Sequence, residues 1–85
     1  MPAPSVRVLA FAGARDIVGT DELDLTVNVP SPTASDVLDA VCALHPRLMP
    51  HRPHIRLAVN GSYVEPSEPV ADGDEVALIP PVAGG

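Results

Sequence analysis

The 85-residue chain contains no lysine, and all five of its basic side chains are arginines. Chemistry that needs a lysine amine, such as a Schiff base, a P-loop or an isopeptide acceptor, must therefore come from another molecule. A single cysteine, Cys42, excludes an internal disulfide and a four-cysteine metal or iron–sulfur site within one chain. No apolar run approaches the ~20 residues that cross a bilayer, and the first residues lack the basic and apolar regions of a secretory signal. We therefore expect a cytoplasmic protein that does not associate with membranes.

Basic residues are also few relative to acidic ones. Eleven acidic side chains against five basic ones give a formal net charge of −6 and an isoelectric point near 4.6. Such a surface repels phosphate backbones, so nucleic-acid binding is not expected, whereas basic protein partners suit it. Hydrophobic residues make up 46% of the chain, which favours a folded chain over a disordered one. The length permits one domain with a small core.

Apolar and polar residues alternate with the period of β-strands in several segments. The first two predicted strands are separated by the turn sequence VGTDE, and we expect them to form a hairpin. Asn60-Gly61 is typical of a two-residue hairpin loop because both residues tolerate positive φ, and Asp72-Gly73-Asp74 predicts a second tight turn. The predicted strands cover residues 6–12, 23–29, 55–59, 62–64 and 75–80.

One segment, PSPTASDVLDAVCALHP, has the pattern of a helix. Thr33 is a good N-cap, and Asp36 stands where a capping box places an acidic residue. Pro46 ends the helix because the residue before a proline avoids helical angles. The residues after it, 47–54, predict an irregular connection broken by prolines. The apolar stripe of the helix consists of Val37, Leu38, Val41 and Leu44.

This order of elements predicts an α+β fold in which one main helix packs across a mixed sheet of four to five strands. The arrangement is the ubiquitin-like β-grasp, with the first and last strands parallel. We expect the domain to span residues 1–80, followed by an extended tail at residues 81–85.

Three stretches together carry a resemblance to a known family. They are VRVLAFAGARDIVGTDE near the start, LAVNGSYV in the middle and VADGDEVALIPPVAGG at the end. The chain resembles the small subunits of molybdopterin synthase, the MoaD branch of the MoaD/ThiS sulfur-carrier family, over essentially its whole length.

The resemblance implies a function for Gly85. In this family an E1-like (MoeB-like) enzyme uses ATP to adenylate the terminal glycine carboxylate, which is then converted to a thiocarboxylate. The sulfur passes to cyclic pyranopterin monophosphate inside a complex with the large, MoaE-like synthase subunit. The resemblance also implies a heterotetramer with two large subunits, which supply the catalytic lysines. No cofactor is expected on the chain itself.

The residues of the tail agree with that chemistry. A glycine carboxylate has no Cβ beside it, so nothing crowds the carbonyl of Gly85 that a nucleophile must reach. Pro80 and Pro81 have no N–H for a sheet ladder, which ends the strand and favours an extended exit. An ordinary frayed terminus is the alternative. The residues expected to thread into a partner are Pro80, Pro81, Val82, Ala83 and Gly84.

A partner interface is predicted on the sheet face opposite the helix. Leu9, Phe11 and Ile79 should lie there, because the alternate positions of the first and last strands face the core. An apolar cluster on an open face is often a docking site, although scattered surface apolar residues are also common. Ala58 is expected to share this face. Arg56 either pairs with an acidic residue of a partner or is solvated.

Other chemically active residues have structural interpretations. Cys42 is expected to be a small buried hydrophobe. The three histidines lie among prolines with no cysteine or acid to complete a ligand set, so no metal site is expected. The Asp72–Asp74 segment lacks the remaining ligands of a calcium loop. No two groups resemble a general acid and base, so the chain is expected to supply a substrate to catalysts on other proteins. The histidines are His45, His51 and His54.

Three other functions are compatible with the sequence. The chain could carry sulfur for another pathway, such as thiamin thiazole or cysteine synthesis. It could be a β-grasp interaction module whose tail has no chemistry. It could also be a ubiquitin-style modifier, in which case Gly85 would form isopeptide bonds with lysines of target proteins.

Overall fold

A computed structural model describes residues 3–81 of the chain. These residues form five β-strands, two α-helices and one 3-10 helix. In chain order the elements are β1 (Ser5–Ala10), α1 (Ala12–Val18), β2 (Glu22–Thr26), α2 (Ala34–Leu44), the 3-10 helix (Pro46–His54), β3 (Arg56–Val59), β4 (Ser62–Val64) and β5 (Glu75–Ile79).

The strands form one mixed sheet in the order β2-β1-β5-β3-β4. β1 and β5 are parallel, and every other neighbouring pair is antiparallel. The predicted β-grasp, with its first and last strands side by side, is confirmed. β5 lies at the centre, where Leu78 is opposite Ala10 of β1 and Leu57 of β3.

The hydrophobic core lies between one face of this sheet and the helices. Val8, Val76 and Leu78 are completely buried on the sheet side, and Val37 and Val41 of α2 are completely buried opposite them. Within residues 3–81, no helix is long and apolar enough to cross a membrane.

α2 begins at the predicted capping box. The Asp36 N–H donates to Thr33 Oγ1 at 3.3 Å, and the Thr33 N–H donates to Asp36 Oδ2 at 2.9 Å. The prediction that Leu44 belongs to the buried stripe is wrong, because its side chain is 59% exposed. At about 100° per residue Leu44 lies only about 20° from the buried Val37, so its exposure goes with its place as the last residue of α2. The buried face of α2 consists of Ala34, Val37, Leu38, Val41 and Cys42.

The predicted first hairpin is wrong in its connection, because a helix, α1, lies between the two strands. β1 ends at Ala10, not at residue 12, and a seven-residue helix lies between β1 and β2. Buried Ala14 and Val18 attach this helix to the core. Gly19, at φ 89°, ends it in the left-handed conformation that favours glycine, and its N–H donates to the Arg15 carbonyl. Two helical turns are too short to be stable alone, so tertiary packing stabilises α1.

The segment after α2 is also more regular than predicted. It forms a 3-10 helix instead of an irregular connection, and its Leu48 side chain is completely buried. Arg52 joins this helix to α2 by an ion pair with Asp39 and a 3.1 Å hydrogen bond to Ser35 Oγ.

β2 is shorter than predicted. It ends at Thr26 instead of residue 29, and the side chain of Val29 is exposed. Leu23 and Leu25 are half-buried and pack against the core, as the alternation predicts.

Candidate functional site

The face of the sheet that points away from the core is the candidate docking surface, and we call it the open face. It carries the alternate residues of all five strands, arranged in rows across the sheet. The row nearest the tail contains Arg56 of β3 opposite Ile79 of β5. Continuing the β1–β5 register by one residue puts Phe11 beside Ile79, and the Phe11 N–H donates to the Leu78 carbonyl at 3.3 Å. Three predicted interface residues therefore meet where the tail begins.

The next row of the open face crosses all five strands, beginning with Glu22 of β2 opposite Leu9. Leu9, Ala77, Ala58 and Tyr63 are opposite one another in β1, β5, β3 and β4. Ala58 lies on the predicted face but is only 5% exposed, so it offers little surface to a partner. Phe11 and Tyr63, at 47% and 66% exposed, are the largest apolar surfaces of the two rows.

Tyr63 is absent from the interface predicted from sequence. The signal for it was present, because a two-residue loop at Asn60-Gly61 fixes the pairing of the strands on either side. Val59 is then opposite Ser62, and Ala58 is opposite Tyr63. Placing Ala58 on the open face therefore also places Tyr63 there.

Charge is unevenly distributed along the open face. In the row beyond Leu9, away from the tail, Arg7 is opposite Asp24 on one side and Glu75 on the other. Arg7 Nε lies 3.7 Å from Asp24 Oδ1, and Glu22 adds a further acidic side chain opposite Leu9. At the tail end Arg56 lies opposite Ile79, and continuing the β3–β4 register by one residue puts the exposed Glu65 on its other side.

Arg56 is exposed and extends over the neighbouring aromatic ring. Its guanidinium carbon lies 5.4 Å from the centroid of the Tyr63 ring, within the range of a cation–π interaction. The two residues are diagonal neighbours on adjacent strands, a separation that long side chains can bridge.

The tail leaves the sheet at the central strand. β5 ends at Ile79, and Pro80 and Pro81 follow without a backbone donor. Pro80 is half-buried and Pro81 is exposed. The predicted threading residues Val82, Ala83 and Gly84 and the predicted acceptor Gly85 lie outside the described residues.

The acidic turn before β5 has a structural role. The Ser5 N–H donates to Asp72 Oδ1 at 2.7 Å, and the Ala71 N–H donates to Asp74 Oδ2 at 2.8 Å. The bond from Ala71 and a second one from the Asn60 side chain hold the pKa of Asp74 below its usual range. Gly73 has the positive φ of 88° that the turn requires. Both carboxylates are therefore used to fix the turn.

Cys42 is buried in α2, and burial raises the pKa of its thiol. A buried thiol with a raised pKa is a poor nucleophile. His45 is half-buried at the end of α2, whereas His51 and His54 are exposed. Within residues 3–81, no three His, Cys, Asp or Glu side chains are grouped so as to hold a metal ion.

Nearly the whole chain matches one known protein family. A model described as the ThiS family matches residues 8–85. The chain belongs to the ThiS family. The match includes the strands that build the open face, the two prolines that follow β5, and both terminal glycines.

Individual relatives in the ThiS family have specific names. The chain is 43% identical to the molybdopterin synthase sulfur carrier subunit of Aedes aegypti, over 94% of this chain and 88% of that protein. It is 36% identical to the subunit of the same name from Escherichia coli, over 94% of this chain and 99% of that protein. The crystal structure of small archaeal modifier protein 1 from Haloferax volcanii superposes with a TM-score of 0.82 at 29% identity, covering 94% of this chain and 100% of that one.

Proposed function

We propose that the chain is the sulfur carrier subunit of molybdopterin synthase and that the carboxylate of Gly85 carries the sulfur. Two relatives with that name match nearly the whole chain, and the ThiS family match extends from β1 through Gly85. The observation that carries the proposal is the position of β5, which ends beside Phe11 and Arg56 on the open face. A partner docked on that face would meet the start of the tail.

The chemistry that we propose has two steps before sulfur is delivered. A carboxylate is a poor acyl donor, so an E1-like adenylating enzyme joins the Gly85 carboxylate oxygen to the α-phosphate of ATP and pyrophosphate leaves. A sulfide-level nucleophile (hydrosulfide) then attacks the Gly85 carbonyl, AMP leaves with the carboxylate oxygen it was joined to, and loss of a proton gives the thiocarboxylate. The chain itself holds no ATP in this scheme. Because activation consumes ATP, we place the reaction in the cytoplasm.

Sulfur delivery requires a second partner. We propose that the large synthase subunit binds the open face, takes the tail into its active site and supplies the catalytic lysines, in a heterotetramer of two small and two large subunits. The thiocarboxylate sulfur then attacks cyclic pyranopterin monophosphate and displaces an oxygen substituent, and water cleaves the resulting thioester, which leaves the sulfur on the pterin and restores the Gly85 carboxylate. Glycine at the last position leaves the reacting carbonyl uncrowded, and Pro80 and Pro81 favour an extended exit from β5.

Intact-mass spectrometry tests the proposal. The purified chain is incubated with ATP, the activating enzyme and a sulfur source, and we expect a mass increase of one oxygen-to-sulfur exchange at Gly85. A variant lacking Gly85 should keep the circular dichroism spectrum and melting temperature of the intact chain but support no dithiolene synthesis with the large subunit. Dithiolene formation by the truncated variant would refute the proposal.

A protein modifier is the second candidate function. It is favoured by the similarity to a structure named small archaeal modifier protein 1. Tryptic peptides of cell extracts would then contain Gly85 joined to lysines of other proteins. Finding the thiocarboxylate without such branched peptides would favour the sulfur carrier alone.

A further inference from the structure

Arg56 differs in its surroundings from the arginines that pair with acids. Arg7 lies beside Asp24, and Arg52 pairs with Asp39. Within residues 3–81, no carboxylate lies at ion-pair distance from Arg56. Its guanidinium instead lies over the Tyr63 ring, in the row of the open face where the tail begins. Continuing the β3–β4 register by one residue puts Glu65 opposite Arg56, but within residues 3–81 the two side chains do not form an ion pair.

We propose that Arg56, held by Tyr63, receives a carboxylate of the large synthase subunit and so fixes the orientation in which that partner meets the tail. This inference rests on the proposed function, because it takes the large subunit as the docking partner. An aromatic ring covers one side of a guanidinium but leaves N–H donors at its edge free. Those donors match the two oxygens of an aspartate or glutamate side chain.

The stack with Tyr63 also prepares the arginine for binding. A free arginine side chain loses many rotamers when a partner fixes it, and that loss opposes association. Here part of the ordering has occurred before the partner arrives, because the ring already restricts the guanidinium. Ile79, opposite Arg56, and Phe11, beyond Ile79 in the same row, offer a partner apolar surface next to the charged group.

The distribution of charge over the open face gives the contact a direction. The row of Arg7 carries the two acids Asp24 and Glu75, and Glu22 lies in the next row opposite Leu9, whereas at the tail end Arg56 has one acid, Glu65, beside it. A partner with an acidic side chain near the entrance to its active site and basic side chains farther away complements this pattern. The reversed orientation would bring like charges together, which disfavours it. Orientation matters because only one docking direction points the tail into the active site.

The affinity of the purified chain for the large subunit tests this inference. Isothermal titration calorimetry at low and physiological salt would measure the affinity of the natural chain and of three variants for the large subunit. The variants are Arg56→Glu, Arg56→Lys and Tyr63→Ala. We expect Arg56→Glu to weaken binding at least about tenfold at low salt, with a smaller loss at physiological salt. Arg56→Lys should be intermediate because lysine lacks the planar fork, and Tyr63→Ala should weaken binding because the guanidinium loses its support.

Arg47→Glu is the matched control. Arg47 is exposed on the 3-10 helix, away from the open face, and the substitution changes the net charge by the same amount. It should bind like the natural chain, and equal melting temperatures for the two Glu variants would show that both are folded. An Asp→Arg or Glu→Arg substitution on the large subunit that restores binding to Arg56→Glu would identify the receiving carboxylate.

The outcomes separate the inference from the proposed function. Equal affinities of Arg56→Glu and Arg47→Glu would mean that Arg56 is merely solvated and would overturn the inference alone. A natural chain that gains no sulfur at Gly85 would overturn the proposed function, whatever the effect of Arg56. If the natural chain did not bind the large subunit at all, the result would contradict both the inference about Arg56 and the proposed function.

Discussion

Asp74 joins three parts of the chain through one residue. Its carboxylate accepts hydrogen bonds from the Ala71 N–H at 2.8 Å and from the Asn60 side-chain amide at 3.1 Å. Its backbone carbonyl accepts a bond from the Arg7 N–H at 2.9 Å. These bonds connect the turn before β5 to the β3–β4 turn and to β1. They also stabilise the ionised carboxylate, which lowers its pKa, since protonation would weaken them.

We predict that Asp74→Asn lowers the free energy of unfolding at neutral pH by about 1 kcal/mol, a value reduced for partial solvent exposure. A carboxylate whose pKa is lower in the folded state stabilises the fold above its unfolded pKa of about 3.9, and this stabilisation is lost as the pH falls towards the folded pKa. The variant should therefore lose less stability than the natural chain on acidification below about pH 4. Urea titrations across that pH range would measure how the free energy of unfolding of each protein changes with pH. Equal changes in the two proteins would contradict the prediction.

α2 shows how one local motif fixes the start of an element. Thr33 and Asp36 exchange hydrogen bonds at its N-terminus, which satisfies two backbone donors that a helix leaves free. The negative charge of Asp36 also lies at the favourable end of the helix dipole. With its start fixed, α2 places Val37 and Val41 against the sheet.

Thr33→Ala removes the side-chain acceptor of this motif. We expect a loss of about 1 kcal/mol in the free energy of unfolding, the usual effect of deleting a helix N-cap. Thr33→Ser keeps the hydroxyl and should retain most of the stability, so chemical denaturation of the two variants separates the hydrogen bond from the methyl group. Equal losses in the free energy of unfolding of the two variants would mean that the effect comes from packing of the methyl group and not from the hydrogen bond.

At the scale of the whole molecule, β5 is the strand that unites the sheet. It pairs with β1 on one side and β3 on the other, and Leu78 is completely buried beneath the helices. The same strand presents Ile79 on the open face and continues into the tail. A rigid β5 therefore supports both the core and the start of the proposed sulfur-carrying tail.

Leu78→Ala should lower the free energy of unfolding by about 2–5 kcal/mol, because it leaves a cavity at the centre of the core. That loss is a large part of the roughly 5–15 kcal/mol that stabilises a domain, so thermal unfolding should shift strongly while remaining one cooperative transition. Ile79→Ala, one residue away on the half-exposed face, is the control and should have a much smaller effect. Similar shifts in melting temperature for both variants would contradict the assignment of Leu78 to the core and of Ile79 to the open face.

The sequence predicts which face of the sheet a side chain lies on, but not how much of that side chain the neighbouring strands cover. Alternation along β1 and β5 places Leu9 and Ile79 on the open face, because side chains in a strand change sides at every residue. Alternation does not reveal how much of a side chain its neighbours cover. Ala58 is therefore on the predicted face but buried, whereas the neighbouring Tyr63 carries the exposed surface.

The sequence alone determined those features whose cause lies within a few residues. The Thr33–Asp36 cap, the positive φ values at Asn60 and Gly61, and the alternation of β5 all arise from local geometry. The ThiS family resemblance was likewise carried by short motifs. Only the tertiary structure decided that residues 12–18 form α1, because a helix of two turns exists only where Ala14 and Val18 meet a core. It also decided that Arg56 lies over Tyr63, since that contact depends on the pairing of two strands.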